Sequence, residues 1–451
     1  MKKHRGTFGS KLGFVLAAAG SAVGLGNIWR FPYLAARYGG GVFLLFYILF
    51  VITFGFSLMI AELAIGRKTA HSPVGAFRTL DRRFTIAGML AIAVCALVLP
   101  YYTVVGGWVM KYIATYLSGQ GGATSEDAYF GEYISSSAEP VFWQVLFILL
   151  CVAIVIKGVK KGIEGAGKVL MPALVVLTVA VTAYSLFLPG AGAGVLYFLK
   201  PDFSRFSFHT IIAALGQMFY SMSLAMGIMI TYGSYLKKTE DLEQSVKHIE
   251  WFDLGISILA GLMIIPPVFA FSGGDATAVG AGQGLMFQTL PKVFAGMAGG
   301  NILGAVFFLL ILFAALTSAV SMLEVLVSNF CDQFHMKRRG SVLLSAALVL
   351  AAGIPPSLGY GLWKNVTLFG MNILDFMDFL SNSILMPLVA LLTCLLAGWV
   401  LPKESIAGEV EQSSRFRRKK IFFFMIRYAA PAGIAVILVC SVLEALHIIR
   451  I

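Results

Sequence analysis

The first long apolar segment of the chain contains the sequence AGSAVGLGN at residues 19–27. Three glycines in so short a stretch disfavour a regular helix, because each costs about 1 kcal/mol relative to alanine in a helix interior. A second apolar segment contains SMSLAMG at residues 221–227, which is also small and polar at its centre. We therefore predict that both segments lose their helical structure partway along their length.

Small residues also let helices pack closely in a membrane, and this explanation would suffice for a single segment of this kind. Two such segments at corresponding positions of two halves favour interruption, because paired interrupted helices form the central site of many transporters. Residues 11–188 and 210–400 would then be inverted repeats of five spans each. An additional helix at 421–447 would complete one transporter domain that covers residues 1–451.

The composition predicts an all-α integral membrane protein. Of the 451 residues, 59% are hydrophobic and 12% are charged, about half the charged fraction of a soluble domain. The apolar stretches are long and continuous, which favours helices, since a helix pairs all of its backbone groups internally within the bilayer. We expect eleven spans, with the first and sixth unwound at the membrane midplane, at approximately 11–37, 41–66, 87–117, 140–157, 166–188, 210–236, 243–271, 300–331, 340–358, 367–400 and 421–447.

The formal net charge of +12 indicates topology rather than a nucleic-acid partner. Most Lys and Arg residues fall on one side of the expected topology, including the polar loop 403–420, which we expect to be solvated on the inside. The positive-inside rule then places the N-terminus in the cytoplasm, and an odd number of spans places the C-terminus outside. With no cysteine pair in an outside loop, we expect a multi-pass protein of a bacterial plasma (inner) membrane.

Five short motifs together resemble the neurotransmitter:sodium symporter family, which has the fold of the bacterial leucine transporter. They are GSAVGLGNIWRFP at 20–32, PYY at 100–102, GQMFYS at 216–221, LTS at 316–318 and LDFMD at 374–378. The resemblance runs through spans one to ten. It implies alternating access, with sodium and substrate bound together at the midplane, and no enzymatic activity.

The resemblance also implies two Na⁺ sites. The first would use the carbonyl of Ala22, the side chains of Asn27, Ser221 and Asp253, and the substrate carboxylate. The second would use the carbonyls of Gly20, Val23 and Ala314 with the hydroxyls of Thr317 and Ser318. Free carbonyls at a helix break suit a hard cation. Alternatively, Asn27 packs between helices, and the two hydroxyls bond back to a carbonyl one turn earlier.

The substrate set implied by the resemblance is Ala22, Leu25, Gly26, Val98, Tyr102, Tyr220, Ser221, Ser223, Leu224, Met226, Ser318 and Met322. The amides of Leu25 and Gly26, with the Tyr102 hydroxyl, would hold a carboxylate. The carbonyls of Tyr220 and Ser221 would receive an ammonium group. These two ends together describe an amino acid as the substrate.

Gly24 sharpens that expectation, because monoamine members of the family have an aspartate at this position in place of a substrate carboxylate. The expected side-chain pocket contains no charge, and methionines such as Met226 and Met322 adapt to differently sized apolar groups. We therefore expect hydrophobic, including aromatic, L-amino acids. If both methionines are ordinary packing residues, the substrate is smaller, such as alanine.

Asp253 lies inside an apolar segment, where a carboxylate costs at least about 2.5 kcal/mol. By resemblance it replaces an asparagine that binds sodium in relatives. Ser257 stands where animal members carry a chloride-binding serine and where chloride-independent bacterial relatives often carry glutamate. We expect chloride-independent symport, with Asp253 protonated on the empty return step. The alternative is an interfacial acid at the start of the span.

Gates and a hinge are also implied by the resemblance. The outer gate would be Arg30 and Asp378 joined by Gln217, under which Tyr220 and Tyr102 cover the substrate, and the inner gate Arg5 and Asp332 with Tyr235. Exposed ion pairs are worth about 0–1 kcal/mol, which suits gates that open every cycle. Gly162 and Pro172 would let the fifth span unwind. Alternatively, Arg5 is a topological anchor and Pro172 a kink without function.

Other functions remain open at this point. A proton-coupled carrier, or a carrier of another solute, could use the same architecture. A membrane sensor would be expected to carry a soluble output domain, and a channel a continuous polar lining, whereas polarity here is concentrated at one depth. The expected partners are an amino acid, sodium ions and the lipid bilayer, and the oligomeric state is open.

Overall fold

A computed structural model describes residues 6–280 and 282–445 of the chain. Its regular structure is helical, and β structure within these ranges consists of two isolated bridges, Gly40 with Pro201 and Leu368 with Met371. The first half contains α1 (Lys11–Ala22), α2 (Phe31–Arg37), α3 (Gly41–Phe50), α4 (Phe56–Thr69), α5 (Pro73–Leu80), α6 (Thr85–Leu117), α7 (Asp127–Ser135), α8 (Glu139–Val155), α9 (Glu164–Leu186) and α10 (Ala191–Leu199).

The second half is equally helical. It contains α11 (Phe208–Ser221), α12 (Ile228–Gly233), α13 (Leu242–Ser272), α14 (Leu290–Ala295), α15 (Gly300–Gln333), α16 (Arg338–Leu358), α17 (Ile373–Asp378), α18 (Met386–Leu395), α19 (Lys403–Glu411), α20 (Lys419–Phe424) and α21 (Ala430–Ala445). Wider π-helical turns lie at Gly26–Arg30, Val51–Gly55, Val159–Ile163, Leu285–Thr289, Phe379–Leu385, Leu396–Val400 and Met425–Ala429. Tighter 3₁₀ turns lie at Arg82–Phe84, Gly121–Ser125, Phe203–Arg205 and Ala276–Val279.

Eight continuous helical stretches in the described residues are long and apolar enough to cross a membrane. The number rises to ten if each of two bent pairs is one span: Lys11–Ala22 with Gly26–Arg37, bent by 51°, and Asp127–Ser135 with Glu139–Val155, bent by 77°. Such lengths match the roughly 30 Å hydrocarbon core of a bilayer. The chain is therefore a nearly all-helical, multi-pass membrane protein.

The first apolar segment bends where its glycines lie. The helix α1 begins at Lys11 and is capped by Ser10, whose side chain accepts a hydrogen bond from the Gly13 amide at 3.1 Å. It ends at Ala22, and Val23 leaves the helical region with φ −83° and ψ 88°. Helical structure returns with the π-helical turn at Gly26–Arg30, which leads into α2.

The second interruption separates α11 from α12 by residues 222–227. Within it Ser223, Ala225 and Gly227 have φ of 52°, 60° and 73°, a left-handed conformation that costs a non-glycine residue about 1–2 kcal/mol. The carboxylate of Glu62, which is buried in α4, accepts a hydrogen bond from the Ala225 amide at 2.7 Å. This contact from another helix stabilises the strained backbone.

The helices α4 and α12 pack backbone to backbone next to this interruption. A Cβ atom at Gly66 would lie 1.9 Å from the Ile230 carbonyl oxygen, and one at Gly233 would lie 2.4 Å from that of Leu63. Neither site has room for a side chain. Small residues therefore set the distance between these helices, as is common in membranes.

The expectation of a solvated loop at 403–420 was wrong, because this segment contains α19. Its residues Ile406 and Glu409 are buried. Glu409 accepts a hydrogen bond from Nε of Arg67 at 2.8 Å and one from Nζ of Lys238 at 2.7 Å. The helix is thus attached to the end of α4 and to the loop after α12.

Candidate functional site

The two interruptions border one cavity, which has about 330 Å³ of atom-free space. The helices α6 and α15 contribute its remaining wall. Its lining is Ser21, Ala22, Gly24, Leu25, Gly26, Asn27, Val98, Tyr102, Tyr220, Ser221, Ser223, Met226, Ile228, Ser318 and Met322.

Every expected substrate residue except Leu224 lines this cavity. Leu224 is fully buried, and its amide donates to the Phe219 carbonyl at 3.4 Å. Sequence reasoning assigned no contact to Ser21 or Ile228, which also line the cavity. Ser21 lies within the first small-residue stretch and Ile228 directly follows the second, so their proximity to the interruptions was the available signal.

The polar corner of the cavity lies next to Gly24. The Leu25 amide donates to the Tyr102 hydroxyl at 3.3 Å. A Cβ atom at Gly24 would lie 2.6 Å from Oγ of Ser318 and 3.1 Å from the Tyr102 hydroxyl. Any side chain at position 24 would therefore enter the space between these hydroxyls. The ring of Tyr220 packs against Gly26, where a Cβ atom would lie 2.5 Å from it.

Asp253 forms a fully buried cluster that connects both interruptions. Its Oδ1 accepts a hydrogen bond from Nδ2 of Asn27 at 2.8 Å, and its Oδ2 accepts one from the Tyr47 hydroxyl at 2.6 Å. The Tyr47 hydroxyl also lies 2.7 Å from Oγ of Ser221, and Nδ2 of Asn27 donates to Ser257 at 2.9 Å. Sequence reasoning gave no role to Tyr47, which looks like any aromatic residue of an apolar helix.

The cluster is chemically suited to a small cation. Its side-chain acceptors are oxygen atoms, the ligands that hard cations prefer. Within the part of the chain that the structure describes, Asp253 has no Lys or Arg within 4 Å. A buried carboxylate without a cationic partner is costly, so a bound cation would stabilise it.

The expected second ion site lies where α15 crosses α1. Oγ of Ser318 donates to the carbonyls of Gly20 at 3.3 Å and Ser21 at 3.1 Å. Oγ1 of Thr317 donates within its own helix to the carbonyls of Phe313 and Ala314, at 3.0 Å each. Thr317 thus makes the local bonds of the alternative explanation, whereas Ser318 joins the helix to the first interruption, close to Val23.

The residues of the expected outer gate lie above the cavity without a direct ion pair. The guanidinium of Arg30 lies 5.0 Å from the centre of the Tyr220 ring. Asp378 instead accepts hydrogen bonds from the Tyr101 hydroxyl at 2.9 Å and from Asn382 at 2.6 Å. Gln217 donates to the Gly26 carbonyl at 2.9 Å. Asp378 is therefore hydrogen-bonded to Tyr101 and Asn382, and the sequence indicated neither partner.

At the opposite end, Arg5 lies outside the described residues. Asp332 accepts a hydrogen bond from the Ser72 amide at 2.7 Å. The Tyr235 hydroxyl donates to Glu324 at 2.7 Å, and Arg338 pairs with the same carboxylate at 2.6 Å. Glu324, inside α15, and Arg338, at the start of α16, were not singled out in the sequence.

The two expected hinge residues lie at the start of the fifth apolar segment. Gly162 belongs to the π-helical turn at Val159–Ile163, and Pro172 lies inside α9. A Cβ atom at Gly162 would lie 2.1 Å from the Ile154 carbonyl. Directly after the turn, Glu164 accepts hydrogen bonds from the Gly9 amide at 2.6 Å and the Ser10 hydroxyl at 2.9 Å. The segment is therefore attached to the cap of α1.

A cavity between two helix interruptions in a multi-pass membrane protein, beside a buried oxygen cluster, is typical of a secondary transporter. A model of the sodium:neurotransmitter symporter family matches residues 5–124 and 131–448. The chain belongs to this family, and it is a sodium-dependent symporter rather than an enzyme.

Individual relatives agree with this assignment. The sodium-dependent transporter YhdH of Bacillus subtilis is 36% identical over 95% of this chain and 96% of its own length. A sodium-dependent transporter of Haemophilus influenzae is 34% identical over 97% and 98%. The crystal structure of MhsT in complex with L-phenylalanine matches with a TM-score of 0.88 and 37% identity, over 97% of this chain and all of that one.

Proposed function

We propose that this symporter imports hydrophobic L-amino acids, including aromatic ones, together with sodium. The observation that carries the proposal is the cavity lining, which contains no Asp, Glu, Lys or Arg. Its wall of Val98, Met226 and Met322 offers only apolar contact to a side chain. That the similar transporter MhsT was crystallised with L-phenylalanine supports an aromatic substrate.

The amino acid would lie with its carboxylate in the polar corner beside Gly24, near the Leu25 amide and the Tyr102 hydroxyl. Its ammonium would face the carbonyls of Tyr220 and Ser221 at the end of α11. Amides and carbonyls freed at helix breaks suit these two charges. The side chain would then extend toward the methionines.

Two sodium ions would accompany each substrate. One would bind in the Asp253 cluster, where the substrate carboxylate completes the oxygen set. The other would bind between the carbonyls of Gly20 and Val23 and the α15 residues Ala314, Thr317 and Ser318. At this second site the ion would replace the hydrogen bonds that Ser318 now makes.

Asp253 would make transport independent of chloride, because its carboxylate already supplies a negative charge inside the cluster. After sodium release the carboxylate would be buried without a cation. Protonation would then remove the cost of the uncompensated charge during the return step. A proton would thus leave the cell with each turnover.

The same proposal includes a topology of eleven spans, in which α11 and α12 form one span interrupted at the midplane, as α1 and α2 do. The chain would be one domain of two inverted repeats and an added helix, in a bacterial plasma membrane, with the N-terminus inside and the C-terminus outside. Arg30 and Asp378 would pair when the outer side closes. Asp332 with Arg5 would close the inner side, beside Tyr235, and Gly162 with Pro172 would permit inward opening.

Uptake of radiolabelled amino acids into proteoliposomes tests the proposal. Unlabelled tryptophan, phenylalanine and leucine should each inhibit uptake of the labelled amino acid at a concentration at least tenfold lower than alanine requires. Replacing sodium with choline should abolish uptake, and replacing chloride with gluconate should leave it unchanged. A preference for alanine or glycine would overturn the substrate assignment, and uptake that follows only a proton gradient would indicate a proton-coupled carrier.

A further inference from the structure

A polar groove lies away from the central cavity, between the start of α13 and the segment that joins α19 to α20. It has about 880 Å³ of atom-free space. One wall is a single face of α13, on which Lys247, His248 and Trp251 are neighbours because residues three and four apart share a helix face. The other wall contains Arg415 and Arg417.

The groove has unpaired positive charge. Arg415 and Arg417 are exposed, and in the described ranges 6–280 and 282–445 neither guanidinium has a carboxylate within 4 Å. Two acids also line the groove, and both already accept a backbone hydrogen bond. Asp241 caps α13 and accepts from the Gln244 amide at 2.9 Å. Glu243 is 3% exposed, and its oxygens meet the Arg417 amide at 2.6 Å and Nζ of Lys247 at 3.4 Å.

The contact between Glu243 and the Arg417 amide also fixes the position of the arginines. Next to it, Arg418 pairs with Glu250 of α13 at 3.3 Å. The segment is therefore held against α13 at two successive residues while the two neighbouring guanidiniums stay exposed. This arrangement presents their charge at a defined place rather than on a mobile loop.

Trp251 identifies the environment of the groove. Its side chain is 73% exposed on a helix that is long and apolar enough to span the membrane. Tryptophan prefers the boundary between the hydrocarbon and the headgroups. The groove therefore opens at headgroup depth, one helical turn from Lys247 and His248.

We propose that this groove binds the headgroup of an anionic phospholipid in the cytoplasmic leaflet. The phosphate would accept hydrogen bonds from Arg415 and Arg417, whose planar guanidiniums suit it. The acyl chains would pass over Trp251. The inference rests on the cytoplasmic orientation proposed above, although binding itself needs neither sodium nor an amino acid.

Native mass spectrometry of the purified full-length protein, titrated with phosphatidylglycerol or phosphatidylcholine, tests this inference. The wild-type protein should retain phosphatidylglycerol in preference to phosphatidylcholine. Each arginine near an anionic surface contributes about fivefold in affinity, so R415Q/R417Q should bind phosphatidylglycerol about 25-fold more weakly. R415K/R417K, which keeps the charge, should lose less than R415Q/R417Q.

The matched control is R78Q/R82Q, which removes the same charge from two exposed arginines outside the groove. It should bind phosphatidylglycerol like the wild type. Equal weakening in both double variants would show a general basic surface and overturn the site. Displacement of the lipid by an equal concentration of inorganic phosphate would show a site for free anions, which also contradicts the inference. Because neither outcome requires transport, failure here is separable from failure of the proposed function.

Discussion

The two helix interruptions around the cavity are built differently. In the first, Val23 to Leu25 leave the helix without any non-glycine residue at positive φ, and the adjacent glycines create the space. In the second, Ser223 and Ala225 have positive φ although both carry a Cβ atom. The first interruption follows from local sequence, whereas the second depends on contacts from elsewhere in the chain.

Those contacts come from two directions. The Glu62 carboxylate binds the Ala225 amide, and the Ser223 hydroxyl donates to the Ser21 carbonyl at 2.7 Å. The second interruption is therefore supported by α4 and by the first interruption. Substitutions in the first interruption should therefore weaken substrate binding by filling space in the cavity. Substitutions at the second should weaken it by removing the contacts that support its backbone.

The largest effect is expected from G24D, which places a carboxylate in the polar corner. The new group would collide with Ser318 and Tyr102 and repel the substrate carboxylate. Two unfavourable terms of about 2 kcal/mol each predict a loss of amino-acid binding of more than 100-fold. Scintillation-proximity binding of labelled phenylalanine measures it.

The control for this variant is G216A in α11, where an added Cβ atom meets nothing within 4 Å. Binding by G216A should stay within about threefold of the wild type, since surface helix substitutions change little. Wild-type affinity in G24D would contradict the assignment of the corner to the carboxylate.

A smaller loss is expected from E62A, which removes the support of the second interruption. A buried amide left without its charged partner costs about 1.5–3 kcal/mol, so phenylalanine affinity should fall roughly 10- to 150-fold. E62Q keeps an acceptor for the Ala225 amide and should lose less. The exposed E404Q in α19 is the control, and an E62A protein that binds like E404Q would refute the dependence.

D253N tests the cluster that joins both interruptions, because it removes the charge and keeps the shape. We expect sodium-driven uptake to fall about tenfold without chloride, since removing one member of a charged hydrogen bond costs about 1.5 kcal/mol or more. Added chloride should restore part of it. The ratio of uptake in chloride-free to uptake in chloride-containing buffer measures the effect. D81N, which lies after α5 and outside the cluster, is the control. Unchanged chloride-free uptake would refute this role of Asp253.

The smallest effects are expected on thermal stability, where a glycine substitution should have opposite signs in the second interruption and inside a helix. A225G relieves a positive φ and should raise stability by about 1 kcal/mol. A19G, inside α1, should lower stability by about the same amount. Thermal unfolding in detergent compares the two, and two shifts of the same sign would mean that strain at Ala225 is not relieved by glycine.

Much of the site could be predicted because its chemistry is concentrated in short motifs. Residues 20–32 and 216–221 were among the motifs that carried the resemblance, and every substrate residue it implied except Leu224 lines one cavity. Contacts made by ordinary-looking residues could not be predicted. Tyr47 and Tyr101 lie within apolar helices, and no local pattern shows that each faces a polar atom of a distant segment. Glu62 is an acid inside an apolar helix, as Asp253 is, and this signal was not used.

By itself, the sequence determined the membrane class, the helical fold and the place of the first interruption. Apolar length requires a bilayer, and clustered glycines weaken a helix wherever they occur. Only the tertiary structure decided the left-handed backbone of the second interruption and the contacts that support it, the Tyr101 partner of Asp378 and the burial of α19. Each of these contacts joins segments more than a hundred residues apart, such as Glu62 with Ala225, Tyr101 with Asp378 and Arg67 with Glu409. The energy of such a contact belongs to the pair rather than to either stretch alone.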